Sequence, residues 1–302
     1  MCVPHKEVIV ATYSLASGLF FLDAESTARH DVAAALESIA AAGFSETELM
    51  AEGDEWQKPG SHDAGPCREA LGRYNIFPHT IHTPMSGVNL ASSIEEIRRD
   101  SVARIGDAMR FLGELGGRAA IVHPTGATTP EEPPYALENV GAAVERIHRS
   151  VSELVPVAAE TGVRIALENL PNTSIPCRPL KSMEELRAFI AGFPSEHVGL
   201  CLDTGHACIS GLDAAEQARV ASERLCALHI QDVDGKDDCH WVPGHGVIDW
   251  SALGEALSDI GFDGAWTIEA LAGRTEGTAE QVATECATLS ERWESGGMSN
   301  PG

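Results

Sequence analysis

The tightest constraint on this chain is where its short apolar runs stop. Ile76 to His82, Ala119 to His123, Arg164 to Glu168, Val198 to Asp203, Cys226 to Ile230 and Ala265 to Ala270 each read as a strand. At or beside their carboxyl ends they deliver His82, His123, Glu168, Asp203, His229 and Glu269. A strand alternates its faces, so the residues two positions earlier share the same side: Thr80, Ile121, Ala166, Cys201, Ala227 and Thr267. These are small to medium, which leaves room above a packed interior. One metal-competent side chain at a strand end is usually structural; six in succession require a fold that gathers strand ends in one place.

Between the strands run segments of helical period. Ile94, Ile97, Val102, Ile105, Met109, Leu112 and Leu115 keep helical spacing up to Gly116 and Gly117. A second long helix is expected from Tyr135 to Thr161, kinked or interrupted at Pro156. Two further strands, Val8 to Leu15 and Glu46 to Met50, bring the strand candidates to eight. With no Gly-x-Gly-x-x-Gly after the first strand, no phosphate loop and no Gly-x-Ser-x-Gly, the alternation favours an α/β fold of one kind: a single (β/α)8 TIM barrel. The barrel is expected to span residues 1–295 as one domain, with 296–302 a frayed tail.

Charge narrows the partners. Against 45 Asp and Glu stand 21 Lys and Arg, a formal charge of −24 that repels phosphate backbones at long range. Small, neutral or metal-chelated substrates are favoured and nucleic acid is disfavoured. The eight cysteines show no close-paired spacing, residues 1–10 place His5, Lys6 and Glu7 ahead of the apolar positions, and no apolar run reaches membrane-spanning length. A cytoplasmic protein without a membrane span is expected; a homo-oligomer is compatible with all of this.

Three more residues join the proposed mouth. Gly205 lets the chain turn after Asp203 and bring His206 back beside it. In the long loop after strand seven, Asp238 and His240 stand at i and i+2, which share a face if that segment is extended. Mixed Asp, Glu and His donors suit a hard or borderline divalent metal: manganese or zinc first, cobalt or magnesium also. His30, His62 and His148 fall in helix or loop contexts and read as surface residues, and His245 stands between rim and surface.

Taken in order, Ile81 to Pro84, Val122 to Pro124, Ala166 to Asn169, Cys201 to His206, Leu228 to Asp232, Asp238 to Gly244 and Thr267 to Glu269 resemble the sugar phosphate isomerase/epimerase family. That family has the xylose isomerase-like TIM barrel and shares it with endonuclease IV-type apurinic-site nucleases. The resemblance implies a divalent-metal site of Glu168, Asp203, His229 and Glu269, with the two glutamates also exchanging the proton of a sugar-like substrate through a metal-stabilised enediolate. His206 and His240 would hold substrate oxygens; many epimerases have an arginine near His240, so end-group recognition departs from theirs. The same intermediate losing a β-substituent would make a lyase or dehydratase. The nuclease members use nine positions, matched by His82, His123, Glu168, Asp203, His206, His229, Asp238, His240 and Glu269, which resembles a trinuclear zinc phosphodiesterase site.

Overall fold

A computed structural model describes residues 11–20, 31–171, 175 and 177–296. Eight parallel strands close on themselves in sequence order: β1 (Thr12–Ala16), β2 (Glu46–Met50), β3 (Phe77–His82), β4 (Ala119–Val122), β5 (Arg164–Glu168), β6 (Val198–Asp203), β7 (Leu225–Ile230) and β8 (Ala265–Ile268). The fold is the expected (β/α)8 barrel. Around it lie α1 (Val32–Ala41), α2 (Gly65–Tyr74), α3 (Glu95–Leu115), α4 (Val140–Thr161), α5 (Met183–Ile190), α6 (Thr204–Ile209), α7 (Ala214–Ala221), α8 (Trp250–Ile260) and α9 (Ala279–Gly296). Among the described residues no helix is long and apolar enough to cross a membrane.

Two layers of apolar packing result from the strand alternation. Outward residues such as Leu15, Ile81, Leu167, Leu202 and Leu228 join the helices' buried faces in one large cluster. Inside the barrel, Ala119, Ile121, Ala166, Cys201 and Ala227 form a small separate cluster. Such short side chains fill the interior only to part of its height, so the residues two steps further along, at the carboxyl ends, stand above a floor.

The differences from the sequence reading have local causes. Val8 to Val10, expected at the start of the first strand, and the tail beyond Gly296 lie outside the described residues. The second long helix starts at Val140, not Tyr135, and runs unbroken through Pro156. Pro156 and Ser152, whose carbonyl loses its helical donor, are both solvent-exposed, so water can take the place of the missing bond. Residue 205 does not make a turn. Asp203 instead caps α6, its carboxylate accepting from the His206 N–H at 2.7 Å. Glycine is required there by close approach: a Cβ on Gly205 would lie 2.6 Å from Cδ of Gln231.

The loop of residues 231–249, after β7, is shaped by one buried carboxylate. Asp232 accepts from Val233 N (3.0 Å), Ile248 N (3.2 Å), Gly244 N (2.7 Å) and Trp250 Nε1 (3.0 Å), while its backbone pairs with Trp241. Four donors converge on two oxygens that no water reaches. Asp232→Asn replaces one acceptor with a donor facing donors and is expected to lower the unfolding free energy by about 3 kcal/mol. Denaturant unfolding of the variant measures this, and a loss below about 0.5 kcal/mol would contradict it.

Candidate metal centre

Strand register brings the site together. Asp203 on β6 lies beside His229 on β7, His229 beside Thr267 on β8, and Glu168 on β5 beside Cys201, two residues before Asp203. Glu168, Asp203, His229 and Glu269, all buried, can each offer one ligand atom within 4.8 Å of the others. Nδ1 of His229 stands 3.2 Å from Oε1 of Glu168 and 3.2 Å from Oε2 of Glu269. His123 and Glu269 lie one residue past the strands that carry them, and His229 one residue before the end of β7; all three still open onto the same mouth.

The remaining sequence candidates gather on either side. His82, His123 and Glu168 form a second group: Nε2 of His123 is 3.0 Å and Nε2 of His82 3.8 Å from Oε2 of Glu168. His206, Asp238 and His240 form a third, with Oδ2 of Asp238 3.6 Å from Nε2 of His206 and 3.3 Å from Nε2 of His240. Asp238 and His240 do not converge by extended alternation. His240 sits in the left-handed region at φ 49°, and its N–H donates to Oε1 of Gln231 at 2.8 Å. Arg274 donates to the Asp238 carbonyl and holds the segment from the other side. His245 is exposed and paired with Glu285, and His148 is exposed on α4, whereas His62 is half-buried and stacked on Trp56. His30 lies outside the described residues.

Several imidazoles are fixed by a backbone acceptor. Nδ1 of His82 faces the Thr83 carbonyl (2.9 Å), that of His206 the Asn169 carbonyl (2.9 Å) and that of His240 the Glu269 carbonyl (3.0 Å). Each bond holds the N–H on Nδ1 and leaves the Nε2 lone pair directed into the mouth. His229 is turned the other way, Nδ1 toward the carboxylates and Nε2 toward Glu48 at 3.0 Å.

Glu48 is the residue the sequence reading overlooked. It lies mid-strand on β2, 1% exposed, and its Oε2 also accepts from Oγ1 of Thr80 at 2.8 Å. The β2–β3 register shifts between Thr47 and Glu48, passing over His79, and sets Glu48 opposite Thr80. The available signal was an acid inside a strand, and strand-end logic passes over it.

Charge is balanced only by sharing protons. Burial would raise the Glu168 carboxyl, but the charges of His229 and His123 hold it well below the usual range. Against the same burial, His229 and His240 bring Glu269 down to about 2. Asp203 goes the other way: burial pushes it to about 6, with His206 opposing and Glu168 and Glu269 adding to the rise. Burial lowers imidazole basicity, yet the surrounding carboxylates raise His206 and His229 well above their ordinary value and His240 to about 9. For His123 burial wins and its pKa falls.

A divalent cation fits this donor set. Oε2 of Glu168 and Oε2 of Glu269 are buried and make no well-directed hydrogen bond, their neighbours being imidazole nitrogens at 3.0 Å (His123) and 3.2 Å (His229), an arrangement that a cation would relieve. Two carboxylate oxygens between imidazoles, with a third carboxylate and a histidine nitrogen beside them, make a mixed O/N set of the kind zinc and manganese take.

The model of the xylose isomerase-like TIM barrel family matches residues 36–291. An uncharacterized protein of Methanocaldococcus jannaschii is 30% identical over 238 residues, 78% of this chain and 77% of its own. A D-psicose 3-epimerase of Ruminiclostridium cellulolyticum is 30% identical over 62% of this chain, the match spanning 61% of that enzyme, less than two thirds of its length. A probable endonuclease 4 of Carboxydothermus hydrogenoformans is 28% identical over 53% of this chain and 56% of its own. Among solved structures, a D-tagatose 3-epimerase-like protein superposes with a TM-score of 0.76 at 24% identity, covering 94% of this chain and 98% of that one.

The proton sharing predicts how pH acts. A metal held by Glu168, Asp203, His229 and Glu269 must displace protons from His229, whose pKa is raised well above its ordinary value, and from Asp203 below about 6, so affinity for zinc or manganese is expected to rise with pH through 6 and beyond, with proton release on binding. Calorimetric titrations in buffers of different ionisation enthalpy read both quantities. In the metal-free protein the sign reverses for stability. The His240 pKa, raised from 6.5 to about 9, gives stabilisation that is full below 6.5 and lost as pH climbs through about 9. Thermal unfolding with and without chelator checks this, and a metal affinity independent of pH from 5 to 9 would contradict the assignment.

Proposed function

The chain belongs to the xylose isomerase-like TIM barrel family, and from that premise we propose that it is a divalent-metal-dependent isomerase or epimerase of a small polyhydroxylated carbonyl compound. The observation carrying this reading is the pair of buried glutamates, Glu168 and Glu269, that approach one histidine nitrogen from two strands at 3.2 Å each. The epimerase among the relatives points in the same direction.

Glu168, Asp203, His229 and Glu269 would hold the metal, which would supply a Lewis acid that makes the carbon beside a substrate carbonyl more acidic. The two glutamates come from strands three positions apart around the barrel, so a substrate lying between them presents opposite faces to the two carboxylates. One, ionised, would take the proton from that carbon and become a carboxylic acid, and the other, already carrying a proton, would give it to the opposite face and become the carboxylate, which inverts the carbon. Neighbouring imidazoles hold both carboxyls low, which suits the accepting member; the donating member has to gain a proton before it can act. His206 and His240, whose Nε2 atoms face the mouth, hold substrate oxygens. The −24 charge suits a neutral sugar and opposes a polyphosphate.

A second reading, a zinc phosphodiesterase, is favoured by one specific observation: the two outer groups adjoin the central one, and Glu168 is common to two of the three. Three cations so placed would neutralise a phosphodiester in spite of the overall charge. The probable endonuclease 4 among the relatives belongs with this reading.

Glu168→Gln and Glu269→Gln are each expected to lower interconversion of ketohexose or inosose epimers by about 10²–10⁴-fold, as loss of a general acid or base does. Chromatographic separation of epimers measures this. Full turnover and full metal content in both variants would sink the proposal. Incubating the zinc-loaded protein with an abasic-site duplex separates the two readings: the isomerase reading expects an intact strand, and stoichiometrically rapid incision would replace it with the phosphodiesterase.

A further inference from the structure

Glu48 has no role in the proton exchange just described, and its position is costly. It is 1% exposed, its Oε1 has no hydrogen-bond partner, and a buried carboxylate adds less to stability than an apolar side chain of the same size. Packing therefore does not account for it. Its Oε2 contacts two groups, Oγ1 of Thr80 and Nε2 of His229.

His229 is fully buried and is the one histidine of the central group. A neutral imidazole carries a single N–H, and whichever nitrogen carries it cannot ligate. His82, His206 and His240 have Nδ1 on a backbone carbonyl; His229 has no such bond. For His229 to present Nδ1 between Glu168 and Glu269, something must accept at Nε2. Among the described residues Glu48 is the acceptor there, at 3.0 Å. Thr80 donates to the same oxygen and so aims it across the barrel, and the register shift between Thr47 and Glu48 makes Glu48 and Thr80 direct partners.

We propose that Glu48 is a positioning residue, whose carboxylate accepts from Nε2 of His229 and thereby fixes the tautomer and ring orientation that leave Nδ1 to bind the metal. The proposal rests on the metal-dependent reading above. Carboxylate partners of this kind typically contribute 10- to 100-fold in metal affinity. Glu48 thus acts on the site from the barrel interior, beneath the mouth and out of reach of substrate.

The test is zinc and manganese titration by calorimetry on wild type, Glu48→Gln, Glu48→Ala and Glu46→Gln, with histidine nitrogen NMR on the zinc-loaded proteins. Glu48→Gln keeps the shape and is the variant relied on if Glu48→Ala fails to fold. Both Glu48 variants are expected to bind 10- to 100-fold more weakly than wild type. The His229 resonances should show zinc on Nδ1 and the proton on Nε2 in wild type and a mixture in the variants. Glu46→Gln, on the same strand but paired with His79, should bind within twofold of wild type. Glu48 variants that lose thermal stability yet keep wild-type metal affinity and a single His229 tautomer would overturn the proposal and leave Glu48 a structural residue. Wild type that binds neither ion would instead overturn the metal-dependent reading itself, and this proposal with it.

Discussion

Everything about this barrel turns on an excess of buried negative charge. Glu168, Asp203 and Glu269 are all below a tenth exposed, in an interior where like charges repel far more strongly than in water. Nothing but positive charge makes that arrangement tolerable, and the chain supplies it with imidazoles in place of Lys or Arg. Imidazoles have a property that permanent cations lack: they can surrender their protons and serve as ligands. On the proposed metal-dependent reading, the protonated site and the metal-loaded site would be alternative solutions to one electrostatic problem.

The scaffold converts that problem into geometry. Small residues at the inner layer form a floor, and parallel strands in register place the next inward residue of each above it. Positioning then relies on the backbone. Carbonyls of Thr83, Asn169 and Glu269 orient three histidines, Asp203 is tied by the His206 N–H, and Gln231 bridges Asp203, Asp238 and the His240 N–H. Asp232, one residue further, organises the loop that bears Asp238 and His240. Most of the side chains holding the site thus sit within a residue or two of those forming it.

This closeness decides what could be read in the sequence. The barrel and six mouth residues, His82, His123, Glu168, Asp203, His229 and Glu269, were legible because each lies at or beside a strand end, where strand period fixes which way it faces; His206, Asp238 and His240 follow in the segments after β6 and β7. The convergence of His206 was anticipated for the wrong reason: a helix capped by Asp203 brings it round, and Gly205 serves close packing against Gln231. The same is true of His240, whose left-handed backbone was invisible in an Asp-Cys-His triplet. Glu48 escaped entirely. Its meaning depends on a register shift between β2 and β3 and on a contact across the barrel to His229, which is 181 residues away in sequence, and periodicity carries no information about such a pair.

The central claim is that the two glutamates exchange a proton at a carbon beside a carbonyl. Solvent-deuterium incorporation tests it most directly. The manganese-loaded protein is incubated in D2O with free ketohexoses, ketopentoses and inososes, and each sugar is followed by NMR. One deuterium at the carbon next to the carbonyl, in recovered substrate as well as in its epimer, is the predicted result. No exchange at that carbon in any of these compounds, from protein shown to carry its metal, would contradict it.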